Sequence, residues 1–139
     1  MIRTCGQCGQ RNRVPAKNLA RSGRCGACKA VLPAASEPID ADPELFQDVL
    51  ENAQVPVLVD FWAAWCQPCR MAAPVVAEVA ASMAGRALVL KVDTERFPQL
   101  SARYGVQGIP NFLVLNHGNV VHQQAGLVSA QQLRRLLES

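Results

Sequence analysis

From residue 42 to the C-terminus, apolar positions recur in an order that predicts alternating helices and strands. Asp42-Pro43-Glu44 reads as a helix start: the Asp side chain accepts from orphan N–H groups, and proline suits the first helical position. Leu45, Phe46, Val49 and Leu50 give that helix an apolar stripe. Val55–Trp62 is apolar throughout except at Pro56 and Asp60, and predicts a strand buried on both faces. From Cys66 to Met83, apolar residues at Ala72, Val75, Val76, Val79, Ala80 and Met83 fall at helical spacing, with Pro74 expected to kink the helix. Ala87–Val92 predicts a second buried strand, so strand, helix and strand form a βαβ unit with parallel pairing. A short helix is expected near Phe97–Tyr104, then a strand at Phe112–Leu115. Asn116-His117-Gly118-Asn119 is a turn into an antiparallel strand, Val120–Gln124. Ser129 and Gln132 form a capping box for a last helix with Leu133, Leu136 and Leu137 inward. The expected fold class is α/β, a mixed central sheet with helices on both faces.

Upstream the pattern changes. Residues 33–41 (PAASEPIDA) hold two prolines and small residues, and read as a linker with room for a short first strand around Pro38–Asp40. The chain therefore divides into a small module at 1–32, a linker at 33–41 and a main domain at 42–139. With 139 residues, half of them apolar, the chain suits one ordinary domain plus a small module, and disorder over its whole length is excluded. Charge follows the same division. Residues 1–35 carry seven basic residues (Arg3, Arg11, Arg13, Lys17, Arg21, Arg24, Lys29) and no acidic one, whereas the remainder is acidic on balance. No apolar run approaches the ~20 residues that span a bilayer. The start, MIRTCGQCGQ, lacks the apolar stretch of a secretory signal, so a cytoplasmic location is expected. In a reducing compartment, cysteine pairs serve as metal ligands or redox catalysts more often than as structural disulfides.

The six cysteines form three C-x-x-C pairs. Cys5/Cys8 and Cys25/Cys28, sixteen residues apart, have the spacing of a four-cysteine zinc site. Gly6, Gly9 and Gly26 are expected to let each pair turn tightly around the metal. A segment this short has too little core to fold alone, so the metal would supply its folding energy. Four ligands close the tetrahedron, which makes one structural zinc the expectation. The alternative, two disulfides, requires an oxidising compartment. Zinc thiolates also remain open to oxidants, so a redox-responsive module is a further reading, with metal release on oxidation. The basic residues around this site resemble those of zinc ribbons that bind nucleic acid. No aromatic residue is present to stack on bases, and a solvated basic face is the expectation, with nucleic acid not a partner.

The third pair, Cys66-Gln67-Pro68-Cys69, lies where the first long strand ends and the long helix begins. A thiolate is the species that attacks a disulfide, and a free thiol has a pKa of about 8.5. Orphan N–H groups and the dipole at a helix N-terminus favour the anion, which makes Cys66 the expected nucleophile. Cys69, one turn deeper, is placed to attack a mixed disulfide at Cys66. Taken alone, the pair is equally a zinc half-site. However, no cysteine follows it, and His117 and His122 fall on the hairpin.

The stretch Val59-Asp60-Phe61-Trp62-Ala63-Ala64-Trp65-Cys66-Gln67-Pro68-Cys69-Arg70, with Gly108-Ile109-Pro110 and Gly126, resembles the thioredoxin family over roughly residues 37–139. With its leading cysteines the chain is similar to the bacterial thioredoxin 2 subfamily. The resemblance implies a thioredoxin fold behind a zinc ribbon and a redox-active Cys66–Cys69 disulfide that reduces protein disulfides. It gives Asp60 proton transfer for Cys69 and Lys91 the pairing with Asp60. A buried Asp in an apolar strand should itself have a raised pKa; the alternative is a structural carboxylate. The resemblance places Trp62 and Trp65 beside the site and makes Pro110 a cis-proline presenting the backbone of Ile109. It also makes Gly126 the glycine of the substrate groove, so that Trp65, Gln67, Pro68, Ile109, Pro110 and Gly126 form the substrate surface. Gln67 stands where the family has glycine and Asn111 where it has threonine. These departures bear on potential and substrate preference, not on a catalytic group. The implied partners are protein disulfides and an NADPH-dependent flavoprotein thioredoxin reductase, with no membrane and a monomeric state. A second reading makes the zinc segment a docking module that brings the redox domain to a partner.

Overall fold

A computed structural model describes residues 1–139. Two small hairpins open the chain: β1 (Ile2–Thr4) with β2 (Arg11–Arg13), and β3 (Gly23–Arg24) with β4 (Val31–Leu32). A 3-10 turn, Ala16–Asn18, lies between them. The rest follows as β5 (Ile39–Asp40), α1 (Pro43–Asn52), β6 (Val57–Trp62), α2 (Gln67–Ser82), β7 (Leu88–Asp93), α3 (Pro98–Arg103), β8 (Asn111–Asn116), β9 (Asn119–Ala125) and α4 (Ala130–Glu138). The five-stranded sheet has the order β5-β7-β6-β8-β9. β5 and β6 are parallel to β7, β8 is antiparallel to β6, and β9 is antiparallel to β8.

Local chemistry sets the helix starts. Asp42 Oδ1 accepts from the Leu45 N–H at 2.8 Å and Ser129 Oγ from the Gln132 N–H at 3.1 Å. α2 runs on through Pro74 without interruption. His117 and Gly118 both have positive φ, the geometry of a tight primed hairpin turn. A Cβ on Gly118 would lie 3.2 Å from the Leu50 carbonyl oxygen, so the turn also needs glycine to pass α1.

The apolar strands resolve into two faces by simple alternation. Val57, Val59 and Phe61 join Leu88, Leu90, Val92, Leu113 and Leu115 in one core with Phe46 and Val49 of α1. Leu58, Val89, Phe112 and Val114 face the other way, against Ala72, Val76 and Val79 of α2 and Leu133 and Leu137 of α4. Asp60 and Lys91 are register partners in β6 and β7, and by the same alternation both lie on the α2 face.

The first core also takes in residues from the N-terminal segment. Ala16, Leu19 and Ala35 belong to it, and Leu19 is 0 % exposed. The Leu19 carbonyl accepts from the Ala35 N–H at 2.9 Å, and Arg21 Nη2 donates to Gln54 Oε1 at 2.7 Å. The chain between the two hairpins is thus a plug seated in the main domain, contributed by sequence upstream of residue 33.

Candidate active site and metal centre

The turn after β6 delivers Cys66 to the N-cap of α2. Cys66 is paired with Cys69 in a disulfide across a Cα–Cα distance of 5.2 Å, and both residues are buried. Cys66 Sγ accepts from the Cys69 backbone N–H at 3.2 Å, so an orphan N–H of the helix start points at this sulfur. The same sulfur is 3.6 Å from the Ile109 carbonyl oxygen. The Ile109–Pro110 peptide is cis, as the resemblance implied. The Gly126 N–H donates to the Pro110 carbonyl at 2.8 Å. Gly126 has φ +91° and open space where a Cβ would sit, whereas Pro110 is buried. Gln67 and Pro68 are exposed.

Trp65 is 66 % exposed, yet it is fixed: its Nε1 donates to Glu95 Oε1 at 2.6 Å. Arg70 clamps the same loop, donating from Nε and Nη2 to the Ala64 carbonyl at 3.1 and 2.6 Å. Sequence reasoning assigns no role to Glu95 or Arg70. Glu95 lies thirty residues from Trp65, and only the tertiary fold joins them. Asn111 is buried, and its Oδ1 accepts from Gln123 Nε2 at 3.2 Å.

Asp60 lies on β6, 1 % exposed, with Oδ1 lacking any hydrogen-bond partner. Burial pushes its carboxyl up to about 7, and the Lys91 ammonium partly opposes that rise. Lys91 is half-buried, with Nζ 4.7 Å from the centroid of the Trp62 ring. A cleft of about 320 Å³ is lined by Lys91, Trp62 and Cys69, so the deeper cysteine and the partner of Asp60 share one opening to water. The structure thus brings Cys66, Cys69, Lys91, Ile109 and Pro110 to one end of the sheet, with Asp60 on β6.

The four upstream cysteines converge. Their sulfurs all lie within 4.8 Å of one another, with Cys5–Cys28 at 3.7 Å and Cys8–Cys25 at 3.6 Å. Zn–S bonds of about 2.3 Å place tetrahedral sulfurs about 3.8 Å apart, so this donor set fits zinc. The two knuckles repeat one pattern: Gly9 and Lys29 N–H groups donate to the Cys5 and Cys25 carbonyls, each at 3.0 Å. N–H groups of Gln7 and Ala27 point at Cys5 and Cys25 Sγ, each at 3.4 Å, which favours thiolates. The residues that take the left-handed turn are Gly9 and Lys29. Gly6 and Gly26 lie within the turn of each knuckle, as expected, while the left-handed residue falls after its second cysteine. Asn12, which carries no signal in the sequence, ties the knuckles together: Nδ2 points at Cys25 Sγ at 3.6 Å and Oδ1 accepts from the Gly26 N–H at 3.0 Å.

Comparison with known proteins covers both parts of the chain. Residues 37–139 match the family profile described as "Thioredoxin", and residues 4–30 match the zinc-ribbon profile described as "Thioredoxin 2, N-terminal". Thioredoxin C-3 of Corynebacterium nephridii is 39 % identical over 139 residues, which is 99 % of this chain and 94 % of that one. Thioredoxin 1 of a Nostoc species is 44 % identical over 97 residues, 70 % of this chain and 90 % of that one. The solved structure of a single-site mutant thioredoxin from Halobacterium salinarum superimposes with a TM-score of 0.69 at 33 % identity, covering 75 % of this chain and 90 % of that one. One relative runs nearly the whole length, and the profile takes in every element from β5 to α4; the chain therefore belongs to the thioredoxin family.

Proposed function

We propose that the chain reduces protein disulfides in two exchanges, the first at Cys66 and the second at Cys69. In the reduced enzyme the Cys66 thiolate attacks one sulfur of a substrate disulfide. A mixed disulfide forms at Cys66, and the first substrate sulfur leaves as a thiolate that takes a proton from water. Asp60 removes the proton of the Cys69 thiol. The Cys69 thiolate then attacks Cys66 Sγ, the second substrate sulfur leaves, and the Cys66–Cys69 disulfide remains. Two electrons from NADPH, delivered by a flavoprotein reductase, restore the dithiol. The strip from Ile109 to Gly126, with Trp65, Gln67 and Pro68 on its rim, receives the extended substrate backbone. One observation carries the reading: a buried cysteine pair at a helix start beside a backbone carbonyl, with an unpartnered carboxyl on the preceding strand. Its test is NADPH-coupled turnover of a protein disulfide, with one NADPH oxidised per disulfide reduced.

Asp60→Asn separates the proton role from the fold. A carboxyl at about 7 in the folded chain and 3.8 outside it binds more protons when folded. Asp60 therefore costs nothing below about pH 4, and stability falls as pH rises from there through 7. The full cost above pH 7 is on the order of 4 kcal/mol. Asp60→Asn is expected to raise the urea midpoint strongly at about pH 8.5, by less than half as much at about pH 5, and little at about pH 4. Stopped-flow resolution of the mixed disulfide should slow, and lose its pH dependence, between about pH 6 and 8. Unchanged resolution rates would leave Asp60 a structural residue only.

Cys5, Cys8, Cys25 and Cys28 would hold one zinc per chain, with no open position for substrate. Bound there, the metal would supply folding energy and a cross-link between the two hairpins. Metal analysis should give about one zinc per reduced chain. Cys25→Ser should bring that to none, and peroxide should release the metal if the module is redox-responsive. Zinc retained at peroxide levels that oxidise Cys66 and Cys69 completely would make it structural alone.

A further inference from the structure

One large cleft of the molecule contains none of the disulfide-site residues. It has a volume of about 540 Å³ and lies among the residues of the two zinc hairpins and the loop joining them. Arg3, Arg13, Arg21 and Arg24 line it together with Asn18 and Ser22, and the lining holds no acidic residue and no aromatic one. The seven basic residues of the segment are expected to form a solvated face; Arg13, Arg21 and Arg24 are indeed exposed, and with Arg3 they line one concavity.

None of the four guanidiniums lies within 4 Å of a carboxylate. Arg3 donates to the Pro33 carbonyl at 2.6 Å, Arg24 to the Lys29 carbonyl at 3.2 Å, and Arg21 to Gln54 Oε1 at 2.7 Å. All three partners are uncharged. Arg13 stands on a rim shared with a second cleft that holds Asp40, Asp42, Glu44 and Asp48, without an ion pair to any of them. By contrast, Arg86 and Arg134 each lie within 4 Å of a glutamate. Four like charges around one cavity repel, and an anion seated between them converts that repulsion into attraction.

The chemistry narrows the anion. Guanidinium forks match the tetrahedral oxygens of phosphate bidentately, and the Asn18 and Ser22 side chains are free to donate to it. A volume of about 540 Å³ has room for more than one phosphate group, and a short chain of phosphates offers oxygens along its length. The volume is in the range of small-molecule sites and excludes a duplex. Without an aromatic side chain the cleft has no platform for a base. We propose that this cleft binds a condensed phosphate, whether a free oligophosphate or the triphosphate of a nucleotide.

The probe is inorganic tripolyphosphate, titrated calorimetrically into the zinc-loaded full chain at about 0.15 M salt. One site per chain is expected. Arg13→Gln/Arg24→Gln should weaken binding by roughly tenfold or more. Arg11→Gln/Lys17→Gln, which removes the same charge from the same segment outside the cleft, should change it little. Equal weakening in both pairs would show general electrostatics and overturn the site. If the glutamine pair fails to hold zinc, Arg13→Lys/Arg24→Lys decides: weaker binding supports the forks, and unchanged binding overturns them. ATP binding like tripolyphosphate identifies the phosphate chain alone as the ligand; tighter ATP binding points to a nucleotide source. Citrate binding as tightly as tripolyphosphate, or a single-stranded oligonucleotide binding more tightly, would overturn the assignment.

Discussion

Replacing Cys66 by serine is expected to lower protein-disulfide turnover by at least about a thousandfold, to the rate of the small-molecule reductant alone. A serine hydroxyl at this N-cap keeps the helix start intact, since it accepts from the Cys69 N–H as the sulfur does. The fold should therefore survive, and the loss is one of chemistry. Cys69→Ser is expected to fail differently. The first exchange needs only Cys66, so substrate thiol should appear in a burst of one equivalent per enzyme and then stop. The enzyme accumulates as a mixed disulfide because the resolving sulfur is gone. Steady turnover in either variant would contradict the two-step scheme.

Leu19→Ala is expected to destabilise the redox domain although the residue lies far upstream of it. Leu19 is wholly buried in the core shared with Phe46, Val57 and Leu88. Truncating a buried leucine costs about 2–5 kcal/mol, including the cavity left behind. For a chain of this size that is a fall in melting temperature of roughly 10 °C. The measurement is clean because both tryptophans, Trp62 and Trp65, lie at the disulfide and none lies in the N-terminal segment. Tryptophan fluorescence thus reports the redox half alone. Val31→Ala, at a site 55 % exposed on β4, is the control and should shift the transition by less than about 0.5 kcal/mol. If Leu19→Ala leaves the tryptophan transition in place, the plug contributes nothing to the core it enters. Stripping the metal should move the transition in the same direction as Leu19→Ala, because the hairpins that hold the plug lose their cross-link.

The elements most legible in the sequence are those whose causes are local. Asp42 and Ser129 mark helix starts because a cap needs only its own N2 or N3 amide. β6 reads as doubly buried because its apolar run leaves no polar face, and both of its faces are covered. The metal centre is legible from the spacing of Cys5, Cys8, Cys25 and Cys28 alone. Other features depend on tertiary partners and leave no local trace. Leu19 shares a short apolar stretch with Val14, Ala16 and Ala20 that has no clear helix or strand period, and nothing nearby says that it joins the core of Val49 and Leu88. Glu95 holds Trp65 only because β7 ends beside the active-site loop. Lys29 takes a left-handed turn that sequence habit assigns to glycine. The arginines read as a charge run, and only the folding of two hairpins toward each other makes a cleft of them.

The central claim is that Cys66 attacks and Cys69 resolves. Cys69→Ser and Cys66→Ser, each reduced and mixed with an equimolar protein disulfide, are digested without reductant and mapped by mass spectrometry. The account predicts a substrate peptide joined to Cys66 in the first variant and no adduct at Cys69 in the second. A substrate peptide on Cys69 of Cys66→Ser, formed as fast as the adduct on Cys66, would contradict it.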